Sequence, residues 1–567
     1  MTNHPANRLA HLLPIYRAMM IARTIDAREK ALVTQGLAFF HVSGAGHEAT
    51  AALVPHLTSE DWLHCHYRDK ALLVLRGIPI VDFFTGLLCK ADSSSQGRQM
   101  SAHLSSPAHK VLSMVGPVGN NALQAVGVAA AVRNRPGRPI VLCSAGDGTT
   151  QEGEFLEACA EAVRGSLPVL FLIEDNEWAI STATPGQTFF SRPDGAASEF
   201  YGLPIQRIDG TDAAAAYDAF ERIVARMRTQ RRPELVLFSV KRLSDHTNAD
   251  DQQLYRDREE IARCWAEADP IPRLRACLLD LGHSDSELAR MQEEIEAEVR
   301  VAEEAALAGA EPEATREAKV PLSGALLERA SEYRGDESHH HSGPASSEGY
   351  TTGLTMREAL GEVLRHHLGN DPRVVLHGED IEDPKGDVFG VTRGLSEAFP
   401  ERVKNAPLSE STIIGTAIGR ALAGERPVAF LQFADFLPLA FNQIASELGS
   451  MYWRTGGSWQ APVIVMVSCG GYRPGLGPFH SQSLEALAVH TPGIDVFMPS
   501  TAADAAGMLN AAFASGRPTL FFYPKAALNR GQDAAAPEVE RQLVPIGVAR
   551  AVRAGEHLTL VGWGNTV

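Results

Sequence analysis

The chain has 567 residues, 44% of them hydrophobic and 21% charged, enough for about three domains that each bury a core. A formal charge of −17 and a pI near 5.6 argue against nucleic acid as a partner. No run reaches the roughly 18 apolar residues of a membrane span. The N-terminal segment lacks an uninterrupted apolar stretch with a cleavage site, and the seven cysteines contain no CxxC pair, so a cytoplasmic protein with reduced thiols is expected.

Taken in order, the chain opens with a helix expected from about Arg8 to Thr34. In QGLAFFHVSGAGHEATAAL, Gly44 and Gly46 lead into a helix starting near His47, and Phe39, Phe40 and His41 read as core aromatics beside that turn. DWLHCHYRDK then sets Tyr67 and Arg68 just ahead of a helix. An arginine there can fork onto a diphosphate while the tyrosine hydroxyl donates to it. GRQMSAH supplies His103, and VGPVGNNALQAVGVAAA begins a helix near Asn120 whose small residues allow close backbone approach.

The stretch from Ile140 to Ser181 organises the rest. It reads as a strand over 140–144, a Gly-Asp-Gly turn, a helix from Gly153 to Arg164, a strand over 169–173 and a polar loop carrying Asn176. Two apolar runs joined by a helical crossover pair in parallel with a right-handed connection, which brings Asp147 and Asn176 to the same carboxyl edge. Their oxygens suit magnesium, which keeps phosphate oxygens among its ligands, and Gly146 and Gly148 let backbone approach such a phosphate. A further strand over 235–239 feeds a long polar loop, VKRLSDHTNADDQQLYR, where the ordinary pKa of His246 suits proton transfer near neutrality. A helix from Ser284 to about Ala310 carries the apolar stripe Leu288, Met291, Ile295 and Val299.

From Glu311 to 350 the composition turns to Pro, Ser, Gly and Glu with three consecutive histidines, His339 to His341, and reads as a solvated linker. The second half repeats the architecture, with apolar runs near 374–377, 428–432, 463–467, 494–498 and 519–522 alternating with helical patterns. The expected fold class is therefore α/β, with two doubly wound, mostly parallel sheets. Glu410 stands ahead of a helix of small residues, QFADFLPLAFNQI holds Gln432 and Phe436, and GPFHSQSLEA holds His480.

These segments resemble the thiamine diphosphate motif and, from Tyr16 to Val567, the decarboxylating first component of the 2-oxo acid dehydrogenase complexes with alpha and beta subunits fused. The resemblance implies thiamine diphosphate, with magnesium on Asp147, Asn176 and the Trp178 carbonyl, and a potassium ion at Asn120 and neighbouring carbonyls. It sets Tyr67, Arg68, Gly146 and Gly148 at the diphosphate, Val118 as the packed wedge that bends the cofactor, and Phe39, Phe40 and His41 at a pocket wall. Glu410 is implied to exchange a proton with the pyrimidine ring nitrogen, Phe436 to stack on that ring with Gln432 nearby, and His103, His246 and His480 to handle protons. The sequence departs from many relatives in having Glu174 where some carry a phosphate-binding arginine, and His47 where some carry Gln or Glu.

The implied reaction is decarboxylation of a 2-oxo acid followed by acyl transfer to the lipoyl domain of an acyltransferase, in a homodimer with active sites at the interface. GRQM and QFADF favour branched-chain 2-oxo acids over pyruvate or acetoin. Transketolase-like ketol transfer is the competing reading, disfavoured by GRQMxxH and DHTNADD. The expected divisions are an alpha-like domain over 1–310, the linker over 311–350, a beta-like pyrimidine-binding domain over 351–535, and the start of a third α/β domain over 536–567. In that last stretch Leu558 to Gly562 reads as a strand. The chain is accordingly expected to be an incomplete version of a longer protein, lacking a domain on the order of 100 residues.

Overall fold

The computed structural model describes residues 5–313 and 352–530, and beyond them 534–535, 539, 542–544, 546–547, 549 and 551–567. The expected linker lies, from 314 onward, outside the described residues. The chain forms two compact units, the first running to Glu313 and taking in Arg454–Ser458, the second comprising the rest.

In the first unit the strands are β1 (Trp62–His64), β2 (Val141–Gly146), β3 (Val169–Asp175), β4 (Glu199–Phe200), β5 (Leu203–Asp209) and β6 (Glu234–Ser239). They lie in the order β1-β2-β3-β6-β5-β4, parallel throughout except for the β4–β5 hairpin at the edge. The middle strands β2, β3 and β6 are buried nearly end to end, as apolar runs covered on both faces must be. Helix α1 (Pro5–Thr34) lays Leu12, Ile15, Met19 and Ile25 into the core, α2 (Asn120–Val132) is buried along most of its length, and α3 (Gly153–Arg164) crosses from β2 to β3. Helix α4 (Asp285–Leu307) begins at a capping box of Ser284 with Glu287 and buries Leu288, Ile295 and Val299, with Met291 packed against the same core. The helix expected from His47 is instead a 3₁₀ segment, Glu48–His56, carrying Pro55, which lacks the N–H a longer helix would use.

The second unit is built alike. Its strands β7 (Val374–Gly378), β8 (Val403–Asn405), β9 (Arg426–Phe433), β10 (Ile464–Cys469), β11 (Asp495–Phe497) and β12 (Thr519–Pro524) lie in the order β8-β7-β9-β10-β12-β11, all parallel. The β9–β10 register shifts between Leu431 and Phe433, a bulge at Gln432 that re-aims the side chains following it. Toward the C-terminus the expected strand Leu558–Gly562 does not form. Leu558, Leu560 and Val561 are exposed, and no described strand pairs with them to satisfy their backbone groups. None of the seven cysteines forms a disulfide; Cys89 is exposed, Cys277 half-buried and the other five buried. Among the described residues no helix is long and apolar enough to cross a membrane.

Candidate active site

A cavity of about 390 Å³ opens in the first unit where β1, β2, β3 and β6 end, the edge at which open parallel sheets bind ligands. Each strand sends one segment into its wall: Tyr67 and Arg68 after β1, Gly146 to Thr149 after β2, Asn176 and Trp178 after β3, and His246 on the loop beyond β6. His103 and Val118 line it from the segments before α2. Asp147 and Asn176 do leave one sheet edge together, as the right-handed crossover requires.

Asp147 is 1% exposed and accepts a hydrogen bond from the Thr184 hydroxyl. Burial pushes its carboxyl above the usual range, and among the described residues no cationic side chain forms an ion pair with it. A divalent cation would supply that missing counter-charge and draw the carboxylate back to its ionised form. Asn176, also buried, accepts at Oδ1 from the Trp178 N–H at 3.0 Å. A Cβ on Gly148 would stand 2.6 Å from that of Ala179, so the turn passes here only as glycine. Buried hard oxygens beside a close-approaching backbone fit magnesium with a diphosphate. Asn120 is buried as the first residue of α2.

Arg68 is itself buried and already engaged. It donates to the Ser43 carbonyl, to the His246 carbonyl at 3.4 Å and to His246 Nδ1 at 3.1 Å. Because a guanidinium only donates, His246 Nδ1 is the acceptor and its proton sits on Nε2. Burial, with Arg68 adding to it, lowers the His246 pKa to about 4, which corrects the expectation of a group titrating near neutrality. His103 Nδ1 donates to the Ser101 carbonyl at 2.9 Å, and burial lowers its pKa as well. Val118, expected as a packed wedge, is 39% exposed at the cavity wall.

Of the three residues expected at the pocket wall only Phe40 lines the cavity, while Phe39 is 87% exposed. His41 turns away into a buried cluster with Asp26 and Glu29. That trio has the make-up of a ligand set, but the Lys70 ammonium donates to both carboxylates and takes the place a cation would occupy. The loop beyond β6 is tied down at several points. Asp250 accepts from the His246 N–H at 2.8 Å and from the Tyr255 hydroxyl at 2.5 Å, and Arg242 donates to that hydroxyl at 2.7 Å. Asn248 accepts at Oδ1 from the His41 N–H at 2.9 Å and donates to the Phe39 carbonyl at 3.3 Å. Sequence reasoning missed His66 in the lining and the buried contact of His47 with Glu174 at 2.6 Å. The only signal was that both residues of that contact are unusual at their positions.

In the second unit the carboxyl ends of β7, β9, β10 and β12 and the loops after them carry Glu379, Gln432, Phe436, His480 and Lys525. Glu410 is the first residue of helix α5 (Glu410–Leu422). Its charge bears on Glu379, a buried carboxyl pushed up to about 7, first by burial and then by Glu410. The Gln432 N–H donates to Glu379 at 3.4 Å, and its side-chain amide donates to Asp380. The Phe436 ring lies 5.6 Å from Phe433 and 5.8 Å from His480, with Phe433 4.8 Å from His480, all edge-on. Lys525 donates to the His480 carbonyl at 2.6 Å, and Asp435 accepts from the Ser481 and Gln482 N–H groups, so the His480 loop is held from both sides. Glu379 and Phe433 were not read from the sequence, although both sit at strand ends where a site residue is expected.

Two doubly wound sheets, one with the buried Asp147–Asn176 edge and one with a carboxyl pair beside an aromatic cluster, match a thiamine diphosphate type of α/β protein. Residues 16–317 match the model of the family described as dehydrogenase E1 component, and residues 352–530 that of the transketolase pyrimidine binding domain. The first match takes in more than half of the chain, which belongs to the dehydrogenase E1 component family. The chain is 40% identical over 217 residues to a 2-oxoisovalerate dehydrogenase subunit beta of Bacillus subtilis, covering 38% of this chain and 64% of that one. It is 38% identical over 215 residues to a pyruvate dehydrogenase E1 component subunit beta of Leifsonia xyli, covering 38% and 62%. With the beta subunit of an acetoin:2,6-dichlorophenolindophenol oxidoreductase of Cupriavidus necator it shares 35% over 224 residues, covering 38% and 65%. The chain thus spans less than two thirds of the length of these relatives.

Proposed function

We propose that the protein decarboxylates a 2-oxo acid with thiamine diphosphate and magnesium and passes the acyl group to the lipoyl domain of an acyltransferase, acting as a homodimer in the cytoplasm. The observation that carries this reading is the Asp147–Asn176 pair at one strand edge beside Arg68, in a cavity of about 390 Å³. Bound there, thiamine diphosphate supplies a nucleophilic carbon and an electron sink for the departing carboxylate. The protein's own work is binding and proton placement. Asp147, Asn176 and the Trp178 carbonyl would hold the cation, while Tyr67 and Arg68 face the diphosphate. His246, neutral and protonated on Nε2, offers a hydrogen-bond donor, and His103 offers an acceptor at its Nε2.

In the second unit Glu410 would exchange a proton with the pyrimidine ring nitrogen. The neighbouring Glu379 disfavours two negative charges at once and so helps keep a proton within the pair. Phe436 presents a face for stacking, and His480 a second proton handler. The GRQM segment before His103 and the QFADF segment at the Gln432 bulge favour a branched-chain 2-oxo acid over pyruvate or acetoin.

Decarboxylation coupled to an artificial electron acceptor tests this. Turnover of 3-methyl-2-oxobutanoate above that of pyruvate and acetoin is expected, with none on ketose phosphates. Turnover of ketose phosphates alone would overturn the reading.

A further inference from the structure

Asp147 is anchored by the Thr184 hydroxyl and Arg68 by the Ser43 and His246 carbonyls. Asn176 follows β3 on a loop, and its usefulness depends on which way its amide is turned: only the oxygen can serve a cation. Its Oδ1 accepts from the Trp178 backbone N–H at 3.0 Å, and a backbone N–H can only donate. That contact identifies the oxygen, so the Nδ2 amino group is the atom 3.3 Å from His47 Nε2. An amino group also donates, which makes His47 Nε2 the acceptor and places the ring proton on Nδ1. His47 Nδ1 lies 2.6 Å from Glu174 Oε2, an acceptor. The directions along Glu174, His47 and Asn176 are thus mutually consistent, and the His47 and Glu174 side chains are fully buried.

We infer that the buried Glu174–His47 pair is a positioning device that holds Asn176 with its oxygen available to a divalent cation. The inference rests on the metal reading given above and assigns a task to two buried residues that line no part of the cavity. Glu174 sits on β3 itself and His47 opens the buried 3₁₀ segment, so the pair is anchored on regular structure, and only the last member, Asn176, lies on the loop. Partners that orient a ligand in this way usually contribute about 10- to 100-fold to metal affinity.

The test is a titration of the full chain with Mn²⁺ in the presence of thiamine diphosphate, read by electron paramagnetic resonance. His47→Leu removes the acceptor and is expected to weaken Mn²⁺ binding by about 10- to 100-fold. His47→Gln, whose amide can donate to Glu174 and accept from Asn176, is expected to stay within a few fold of the native protein. Equal affinity in native, Leu and Gln forms would overturn the inference while leaving the metal site intact. Absence of Mn²⁺ binding in the native protein would overturn the metal reading and this inference with it. Should the Leu variant not fold, ¹⁵N-histidine spectra of the native protein, with the His47 signals assigned by their loss in His47→Gln, decide the matter. The Nδ1–H tautomer is expected for His47, and the Nε2–H tautomer would overturn the proposal.

Discussion

Glu410 and Glu379 differ in what the fold asks of them. Glu410→Gln leaves Asp147, Asn176 and Arg68 in the first unit untouched and is expected to keep cofactor affinity, measured by calorimetry, within a few fold. It should lower decarboxylation by about 10²- to 10⁴-fold, the usual cost of losing a general acid–base. Retention of more than about a tenth of native turnover would exclude the assignment. Glu379 makes a different prediction, about stability. Its folded pKa is raised to about 7 while the unfolded chain ionises near 4.5, so between these values the folded state binds more protons. Stability therefore falls as pH rises through that window, by on the order of 3 kcal/mol once ionisation is complete. Glu379→Gln removes this dependence, and urea unfolding at pH 5 and pH 8 should show the variant gaining on the native protein only at the higher pH.

At the scale of elements, the loop beyond β6 is held by several side-chain hydrogen bonds, two of them at the Asn248 side chain. Asn248→Ala deletes the two side-chain hydrogen bonds that clasp it to the Phe39–His41 strip, leaving the backbone bond from the Asn248 N–H to the His41 carbonyl. A local loss of about 1–3 kcal/mol is expected. Hydrogen exchange should accelerate over residues 244–256 and remain unchanged in β2 and β3. The elements themselves were largely legible in the sequence. α3 and the starts of β3 and β12 coincide with their expected limits, because a parallel strand buried on both faces is a plain apolar run bounded by turns. The edge hairpin of β4 and β5 escaped notice, since short half-exposed strands carry little periodic signal. At the site, the placement of Asp147 and Asn176 followed from strand ends, and that of Arg68 from its position just ahead of a helix. The His246 protonation state and the Glu174–His47 contact depend on burial by distant segments, which no local pattern encodes.

For the molecule as a whole, ligand binding and stability are linked. Magnesium with thiamine diphosphate at 100 times its dissociation constant should stabilise the binding unit by about 2.7 kcal/mol, seen as a raised thermal midpoint that a chelator reverses. Asp147→Ala should abolish both the shift and the magnesium-dependent binding seen by calorimetry, because no other carboxylate described at the β2 edge lines the cavity. An unchanged affinity would show the central motif to be misread.

The distribution of thiols gives the two units separate reporters. Six of the seven cysteines fall in the segment ending at Glu313, and Cys469, buried at the end of β10, stands alone in the second unit. Burial pushes the Cys469 thiol up to about 12, so in the folded state it scarcely forms the thiolate that alkylating reagents attack. Exposed Cys89 should take a maleimide first, giving a place for a fluorophore without mutation. Alkylation of Cys469, followed by peptide mass in rising denaturant, then times the opening of the second sheet by itself, against Cys143 and Cys159 as the matching clock for the first.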